Sequence, residues 1–510
     1  MKLGALLAGN ARRNPDALAV VCGARRLTLA ELNERANRFA NALLDKGLKA
    51  GDRVAVYLPN GVEVVEAMAG VVKTGALITP LSPRLTEREV HYILGNSEPK
   101  VIVFPESHRE SLGDHADHPD TILICVGTPR DGEEEFETIM AEGSAEAPPS
   151  LPPMPDDCVV SYTSGTTGYP KGAVGTHQNF IAIGGLIAAP EWELTPKDIV
   201  FASTPLSHRA GLARMANSFH LGNPLILQPR FDPEDAVEVI AKEGVTVLSA
   251  VPTIIRLMMP EIEKNADRLK KLRLVVTTGE SFPEPLKKQL FSALPHVQLH
   301  SFLAQTEAGV ICSLRHEDHA RKPGAAGFPI PGVDLRLVDK DLKDVKRGEV
   351  GEIIVRCGVP GAYTIMREYF RNPQATKETL VDGWLRTGDL AYEDEAGYLF
   401  FADRAKDMIV SGGLNIYSRE VEVALLEHPA VADAAVFAVP DPEFGEAVMA
   451  CVQLRDGKKA TADELIAFCR EQIASYKKPK HVRFMDEFPR TSAGKVQKHE
   501  LKKQLTKEFA

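Results

Sequence analysis

A chain of 510 residues with net charge −10, 44% hydrophobic and 25% charged, has the arithmetic of an ordinary soluble globular protein. Those values exclude a collagen, a disulfide scaffold and a wholly disordered chain. The length exceeds one hydrophobic core, so two to four domains are expected, and a pI near 5.9 argues against nucleic acid as a partner. The 7 cysteines (Cys22, Cys125, Cys158, Cys312, Cys357, Cys451, Cys469) are scattered, with no CxxC pair and no metal-ligand spacing, which fits a reducing cytoplasm.

The apolar start at Leu3-Gly4-Ala5-Leu6-Leu7-Ala8 is cut short by Asn10, Arg12 and Arg13, which predicts a first surface helix rather than a signal peptide. Thr28 and Glu31 form a capping box, followed by Leu32, Ala36, Phe39, Ala40, Leu43 and Leu44 on one helical face until Gly47. Val54 to Leu58 reads as a buried strand, 61–74 as a helix and Leu77 to Thr79 as a strand. Thr86 to Glu89 opens another helix, and Val101 to Phe104 is another strand. Strands spaced by helices predict α/β layers with parallel sheets.

Residues 129–157, with Glu133-Glu134-Glu135 and the prolines from Pro148 to Pro155, read as a surface connector that does not pack. The longest later apolar run, Phe180 to Pro190, is about half a membrane span, so no transmembrane segment is expected. From Cys158 to about 400 the alternation resumes, with hairpin character after 330. The last hundred residues predict a small α+β domain: Ser418 caps a helix to Glu427, Val431 to Val439 is a strand, and 461–475 is a helix. The stretch 477–503 carries nine Lys/Arg against three Asp/Glu. It is either a solvated basic surface or a patch for an anionic ligand.

Val159 to Gly172 sends an apolar strand into a loop of hydroxyl residues and glycines: Thr163, Ser164, Gly165, Thr166, Thr167, Gly168, then Lys171. Glycines let backbone N–H groups approach an oxyanion, hydroxyls add donors and the lysine adds charge, so the loop reads as a phosphate cradle. It is not a Walker A loop, because the spacing differs and Gly172 follows Lys171.

This segment resembles the signature loop of the adenylate-forming (AMP-binding) superfamily, and further motifs follow in that superfamily's order. Gly279-Glu280-Ser281 resembles the turn that lines adenosine and the acyl group, and Gln305-Thr306-Glu307 the end of the Tyr-Gly-x-Thr-Glu motif. Leu303-Ala304 stands where that motif has Tyr-Gly, so apolar contact replaces ring stacking against adenine. Trp384 to Asp389 resembles the aromatic-x-Arg-Thr-Gly-Asp stretch, whose aspartate accepts both ribose hydroxyls. Asp403 to Ile416 resembles the interdomain crossing, with Asp403 where a glycine is usual, and Pro489 to Val496 resembles the C-terminal catalytic loop.

The resemblance covers roughly residues 10–500. It implies an N-terminal domain over 1–405 of layered α/β subdomains with a β-rich part, and a mobile C-terminal α+β domain over 406–510. It implies ATP-dependent activation of a carboxylic acid to an acyl-AMP with release of pyrophosphate, followed by transfer to CoA. By resemblance Thr163, Ser164, Gly165, Thr166, Thr167, Gly168, Lys171, Gly279, Glu280, Ser281, Thr306, Asp389, Arg404 and Lys495 bind the nucleotide. Glu307 and Thr163 hold Mg²⁺, and Lys495, Glu307 and Arg404 serve catalysis. Lys406 is the hinge, and Gly412 and Gly413 border the CoA tunnel.

Pro205-Leu206-Ser207-His208 resembles the acyl-pocket segment, so His208 joins Gly279 as a candidate there. Arg209 and Arg214 follow; such arginines are expected to pair with acids at the surface, whereas one facing the pocket would suit a second carboxylate. Fatty, alicyclic, aromatic and dicarboxylic acids stay open. An adenylating enzyme that loads a carrier protein shares every ATP motif and is the alternative. A non-catalytic acyl-AMP-binding scaffold is a third reading. A cytoplasmic monomer or homodimer is expected.

Overall fold

The computed structural model describes residues 1–113, 120–153, 156–163, 170–280, 282–490 and 496–506. The chain divides into two compact units, Met1–Leu335 with Val355–Leu385, and Arg336–Ile354 with Arg386–Ala510. The boundary expected at 405/406 therefore lies inside the second unit, which already takes in 386–405.

The first unit holds two large sheets. In the seven-stranded one, Glu133–Glu135, Ile122–Val126, Val101–Pro105, Arg53–Val56, Leu77–Pro80 and Asp157–Thr163 lie side by side in parallel. Lys171–Thr176 closes the edge as an antiparallel hairpin partner of Asp157–Thr163. The nine-stranded sheet has a parallel centre of Leu18–Cys22, Leu225–Leu227, Val200–Ala202, Val247–Ser249, Leu274–Thr278 and Gln298–Gln305. Antiparallel strands flank it at both ends.

Side-chain alternation along these strands separates two cores. Val200, Leu225, Val247, Leu274 and Val276 face the helix Arg209–Leu221 and Trp192, and Phe201, Ile226, Leu248, Val275 and Leu299 face the opposite layer of helices. Buried on both faces, the central strands read as continuous apolar runs.

The expected capping boxes are present. Thr28 and Glu31 start Leu29–Asp45, and Thr86 and Glu89 start Glu87–Ser97. The first helix spans Leu3–Arg13, with Leu3, Leu7 and Ala11 buried. The run Phe180 to Pro190 is largely buried and passes through one turn of π-helix at Ile183–Ala188. No described helix is long and apolar enough to cross a membrane.

Two expectations are corrected. Residues 129–157 are not all connector, because Glu133–Glu135 pairs with Ile122–Val126 and Phe136–Glu142 is a helix. Its Phe136, Ile139 and Met140 recur at i, i+3 and i+4 and are buried, with the Phe136 ring 5.4 Å from that of Phe39. Glu133, read as part of that surface connector, is paired with Arg109 at 2.7 Å. The second correction concerns Ser418, which is the first helical residue of Ser418–Leu426 and not its cap. Buried Asp403 takes that role: its carboxylate accepts from the Ser418 and Arg419 backbone N–H groups and from Ser418 Oγ at 3.2 Å. The aspartate standing where a glycine was expected is thus a capping anion on free helix donors.

The second unit ends in an α+β fold. Val431–Asp441 and Gly445–Leu454 form its central antiparallel pair, with Ile409–Ser411, Leu414–Ile416 and the parallel strand His481–Phe484 added. Helices Ser418–Leu426 and Ala462–Gln472 cover one face, and Lys498–Leu505 covers the other.

Candidate active site

In the first unit, the hairpin register sets Thr163 directly opposite Lys171 at the open end of the two strands. Ser164, Gly165, Thr166, Thr167 and Gly168, which connect them, lie outside the described residues, as do Ser281 and Lys495. Thr163 Oγ1 donates to Glu307 Oε1 at 3.2 Å, and Tyr369 Oη donates to the same oxygen at 2.9 Å. The Lys171 ammonium lies 5.3 Å from the centre of the Tyr369 ring. Thr163, Lys171 and Glu307 are therefore brought together, with Thr306 beside Glu307 in the chain.

The neighbouring backbone explains why these groups meet. The Glu307 carbonyl accepts from Met366 N–H at 2.7 Å. Residues 367–370 then run along the strand Lys171–Thr176, with Arg367 N–H on Val174 O and Phe370 N–H on Gly172 O. That pairing delivers Tyr369 to the carboxylate. Burial and the Glu307 charge both push the Tyr369 phenol up, so it stays a donor at neutral pH. Sequence reasoning missed Tyr369, because its partner lies 62 residues away and nothing local marks the pairing.

Other candidates sit elsewhere on this unit. Gly279 ends the strand Leu274–Thr278 with φ +99°, a conformation that favours glycine. Glu280 Oε1 accepts from Thr253 N–H at 2.9 Å and Thr253 Oγ1 at 2.8 Å, so this carboxylate caps the helix Pro252–Lys264. His208 is the half-buried residue before the helix Arg209–Leu221.

The surface placement expected for Arg209 and Arg214 is corrected, since Arg214 is buried and Arg209 half-buried. Arg209 donates to Thr364 O at 3.0 Å and lies over the Phe180 ring, and burial pushes its guanidinium down to about 10. The helix Arg209–Leu221 packs its inner face against the sheet, which takes Arg214 inside.

In the second unit, the pairing of Trp384–Glu393 with Leu399–Arg404 sets Asp389 opposite Arg404. Arg404 Nε lies 2.6 Å from Asp389 Oδ1, and the carboxylate is 1% exposed. Thr387 Oγ1 fixes the turn by donating to Ile353 O at 2.7 Å and accepting from Asp389 N–H at 3.0 Å. Lys406 is exposed in the turn after Arg404, where Asp407 N–H returns to Arg404 O at 2.9 Å.

Gly412 and Gly413 are the two tip residues of the hairpin Ile409–Ile416, both with positive φ (+57° and +80°). The two-residue tip needs that backbone, which is a structural reason for both glycines. A Cβ on Gly413 would meet nothing, whereas one on Gly412 would come within 3.1 Å of Phe444.

Four of the nine basic residues in 477–503 are paired with acidic neighbours. Lys477 pairs with Glu420, Lys480 with Asp441, Arg490 with Asp433 and Lys498 with Glu422, at 2.5–2.6 Å. The base of the segment that carries Lys495 is closed by Gln497 N–H on Pro489 O at 2.8 Å.

The donor set at Thr163, Glu307 and Tyr369 is all oxygen, which suits a hard cation such as Mg²⁺ that takes one or two carboxylates and completes its shell with phosphates and water. Among the described residues no cluster of three or more His, Cys, Asp or Glu is placed to hold a metal ion.

Comparison with known proteins gives a consistent picture. Residues 7–370 match the AMP-binding enzymes and 420–495 match the AMP-binding enzyme C-terminal domain. A feruloyl-CoA synthase of Amycolatopsis sp is 35% identical over 99% of both chains. A fatty acid–[acyl-carrier-protein] ligase of Streptomyces coeruleorubidus, ScoC, is 33% identical over 97% of this chain and 94% of its own. The ATP-bound crystal structure of MatB from Rhodopseudomonas palustris superposes with TM-score 0.90 at 30% identity, covering 100% of both chains.

Proposed function

The chain belongs to the AMP-binding enzyme family and carries that family's C-terminal domain, and from that premise we propose how its residues divide the work. The enzyme is an AMP-forming acid–thiol ligase. A carboxylic acid attacks the α-phosphate of ATP to give acyl-AMP and pyrophosphate, and the CoA thiol then takes the acyl group and releases AMP.

The observation that carries the site assignment is the meeting of Thr163, Tyr369 and Glu307 beside Lys171 at the mouth of one hairpin. In our reading the loop 163–171 receives the phosphates, with Lys171 as a point charge on the outgoing pyrophosphate. Glu307, oriented by two hydroxyl donors, holds Mg²⁺ together with Thr163. When bound, that ion offsets charge on the phosphates. Thr306, Gly279, Glu280 and Ser281 border the nucleotide and the acyl group, and His208 lines the acyl pocket. Asp389 receives the ribose hydroxyls, its carboxylate held in place by Arg404. Lys495 relieves the repulsion between the carboxylate and the α-phosphate as they meet. Lys406 is the hinge, and Gly412 and Gly413 border the CoA path. Seven unpaired thiols suit a cytoplasmic setting.

A carrier protein as acyl acceptor is the second reading, favoured by the likeness to ScoC. One assay separates the two. Pyrophosphate release is screened over a panel of acids, and the acyl-AMP formed is offered to CoA or to a pantetheinylated carrier protein. Thioester on CoA is expected. Consumption only by the carrier would favour the second reading, and no pyrophosphate with any acid would sink both.

A further inference from the structure

The inner face of the helix Arg209–Leu221 carries polar groups without hydrogen-bond partners among the described residues. Arg214 is 6% exposed, and its Nε and Nη1 have no hydrogen-bond partner among the described residues. One turn on, Asn217 is 1% exposed with both amide atoms unpaired. Trp192 lies with its ring 4.1 Å from the Arg214 guanidinium carbon, and its indole N–H is also unpaired. A buried cation normally finds a carboxylate, and a buried amide normally finds a partner. Three such groups on one patch leave the Arg214 and Trp192 N–H donors and the Asn217 amide, with its one acceptor oxygen, unsatisfied.

These groups line a narrow space, closed on its far side by Val200, Val247, Ser249 and Val276. As it stands the space has no room for a water molecule. Its position in the sheet is informative. Val200 pairs with Val247, and Ser249 pairs with Val276, so all four side chains share one face. Thr278 follows Val276 on that face, and Gly279 comes next. The cavity thus lies below the turn assigned to the acyl group, roughly 10 Å down the strand at 3.3 Å per residue.

We propose that this cavity is the far end of the acyl site and that it takes the second, anionic group of the substrate, seated on Arg214 with Asn217 and the Trp192 N–H as further donors. The substrate class is an acid bearing a distal carboxylate, or an equivalent anion, on the order of 10 Å from the reacting carboxyl. An anion is favoured over a neutral acceptor because an unpaired guanidinium in an apolar shell gains most from an opposite charge. Seating it requires the lining around Trp192 and Arg214 to part, since the space as it stands has no room for a water molecule. The proposal rests on the ligase reading above. Burial alone pushes the Arg214 guanidinium down to about 9, which leaves it charged at neutral pH.

The test compares α,ω-dicarboxylic acids of increasing length with their chain-matched monocarboxylic acids and ω-hydroxy acids. Two readouts are taken: kcat/KM for pyrophosphate release, and the shift in melting temperature caused by each acid without ATP. For one length the wild-type protein should prefer the diacid by at least about a hundredfold. Arg214→Met should collapse that ratio through KM and abolish the diacid's melting shift, and Asn217→Leu should lower the ratio severalfold. A wild-type preference for monocarboxylic or ω-hydroxy acids at every length would overturn the proposal, as would an unchanged ratio in Arg214→Met; Arg214 would then be only a buried support for Trp192. If Arg214→Met does not fold by circular dichroism, Asn217→Leu carries the comparison. Pyrophosphate released with monocarboxylic acids alone leaves the ligase reading standing and this one overturned. With no pyrophosphate from any acid the ligase reading falls. A diacid melting shift lost in Arg214→Met would then still support the anion site, and no shift would overturn it.

Discussion

One carboxylate oxygen gathers the site's chemistry at the residue scale. Glu307 Oε1 accepts from two hydroxyls on separate elements, which fixes the direction of its second oxygen. Glu307→Ala should lower kcat/KM for ATP by at least about a hundredfold, near 3 kcal/mol, if that carboxylate positions Mg²⁺. Tyr369→Phe removes one hydrogen bond to a charged acceptor and should lower it roughly tenfold to a hundredfold, the deficit shrinking as Mg²⁺ is raised. Both follow from steady-state kinetics across a Mg²⁺ titration, and Mg²⁺-independent turnover in either variant would detach this cluster from the metal. A second residue-scale prediction concerns acid. His177 is buried with its Nδ1 accepting from Leu3 N–H at 3.2 Å, and burial, with Lys2 nearby, pulls it from 6.5 to about 4. The native state holds the imidazole neutral, so the unfolded chain binds more protons between those values. Stability from this group is complete above pH 6.5 and is lost as pH falls towards 4, by on the order of 3 kcal/mol. Urea midpoints across that range should decline with falling pH, and His177→Asn should flatten the decline.

Among the elements, the segment 129–157 tests how composition misleads. Phe136 is fully buried against Phe39, so Phe136→Ala should destabilise the protein by about 3–5 kcal/mol in urea unfolding, whereas a true connector would lose almost nothing. The acidic triplet and the prolines flanking this helix dominate the local composition and hide a three-residue apolar face. The elements that read correctly have local causes. Both capping boxes pair residues three apart, and the helix Val62–Thr74 stops at Gly75 with φ +82°. The motifs at 163–171 and 384–389 were legible because strand and loop are continuous in sequence. What stayed hidden is long-range: Tyr369 reaching Glu307, Asp403 capping Ser418, and the inward turn of Arg209 and Arg214. Charge patterning predicts a surface for those arginines. Only the packing of their helix against the nine-stranded sheet takes Arg214 inside and half-buries Arg209.

For the whole molecule, the question is whether one chain runs two half-reactions with two sets of residues. Lys495 belongs to the segment between Pro489 and Val496, while Lys406 sits in the exposed turn between Arg404 and Ile409. Adenylation brings a carboxylate against an α-phosphate, and in our reading the Lys495 ammonium offsets that repulsion. Thioester formation starts from acyl and AMP already joined, so it has no need of the same charge. It requires instead that Gly412 and Gly413 be presented to the incoming thiol, which in our reading a change of backbone angles at Lys406 allows. Proline there fixes φ near −65° and restricts that change. Lys495→Ala should therefore fail to make acyl-AMP from acid and ATP, yet convert supplied acyl-AMP and CoA to thioester. Lys406→Pro should form acyl-AMP and convert it slowly. Single-turnover assays of each half-reaction read both outcomes, with folding checked by circular dichroism. Equal loss of both half-reactions in each folded variant would mean that the two steps share one arrangement of the chain, and the hinge assignment at Lys406 would fall with the separate role of Lys495.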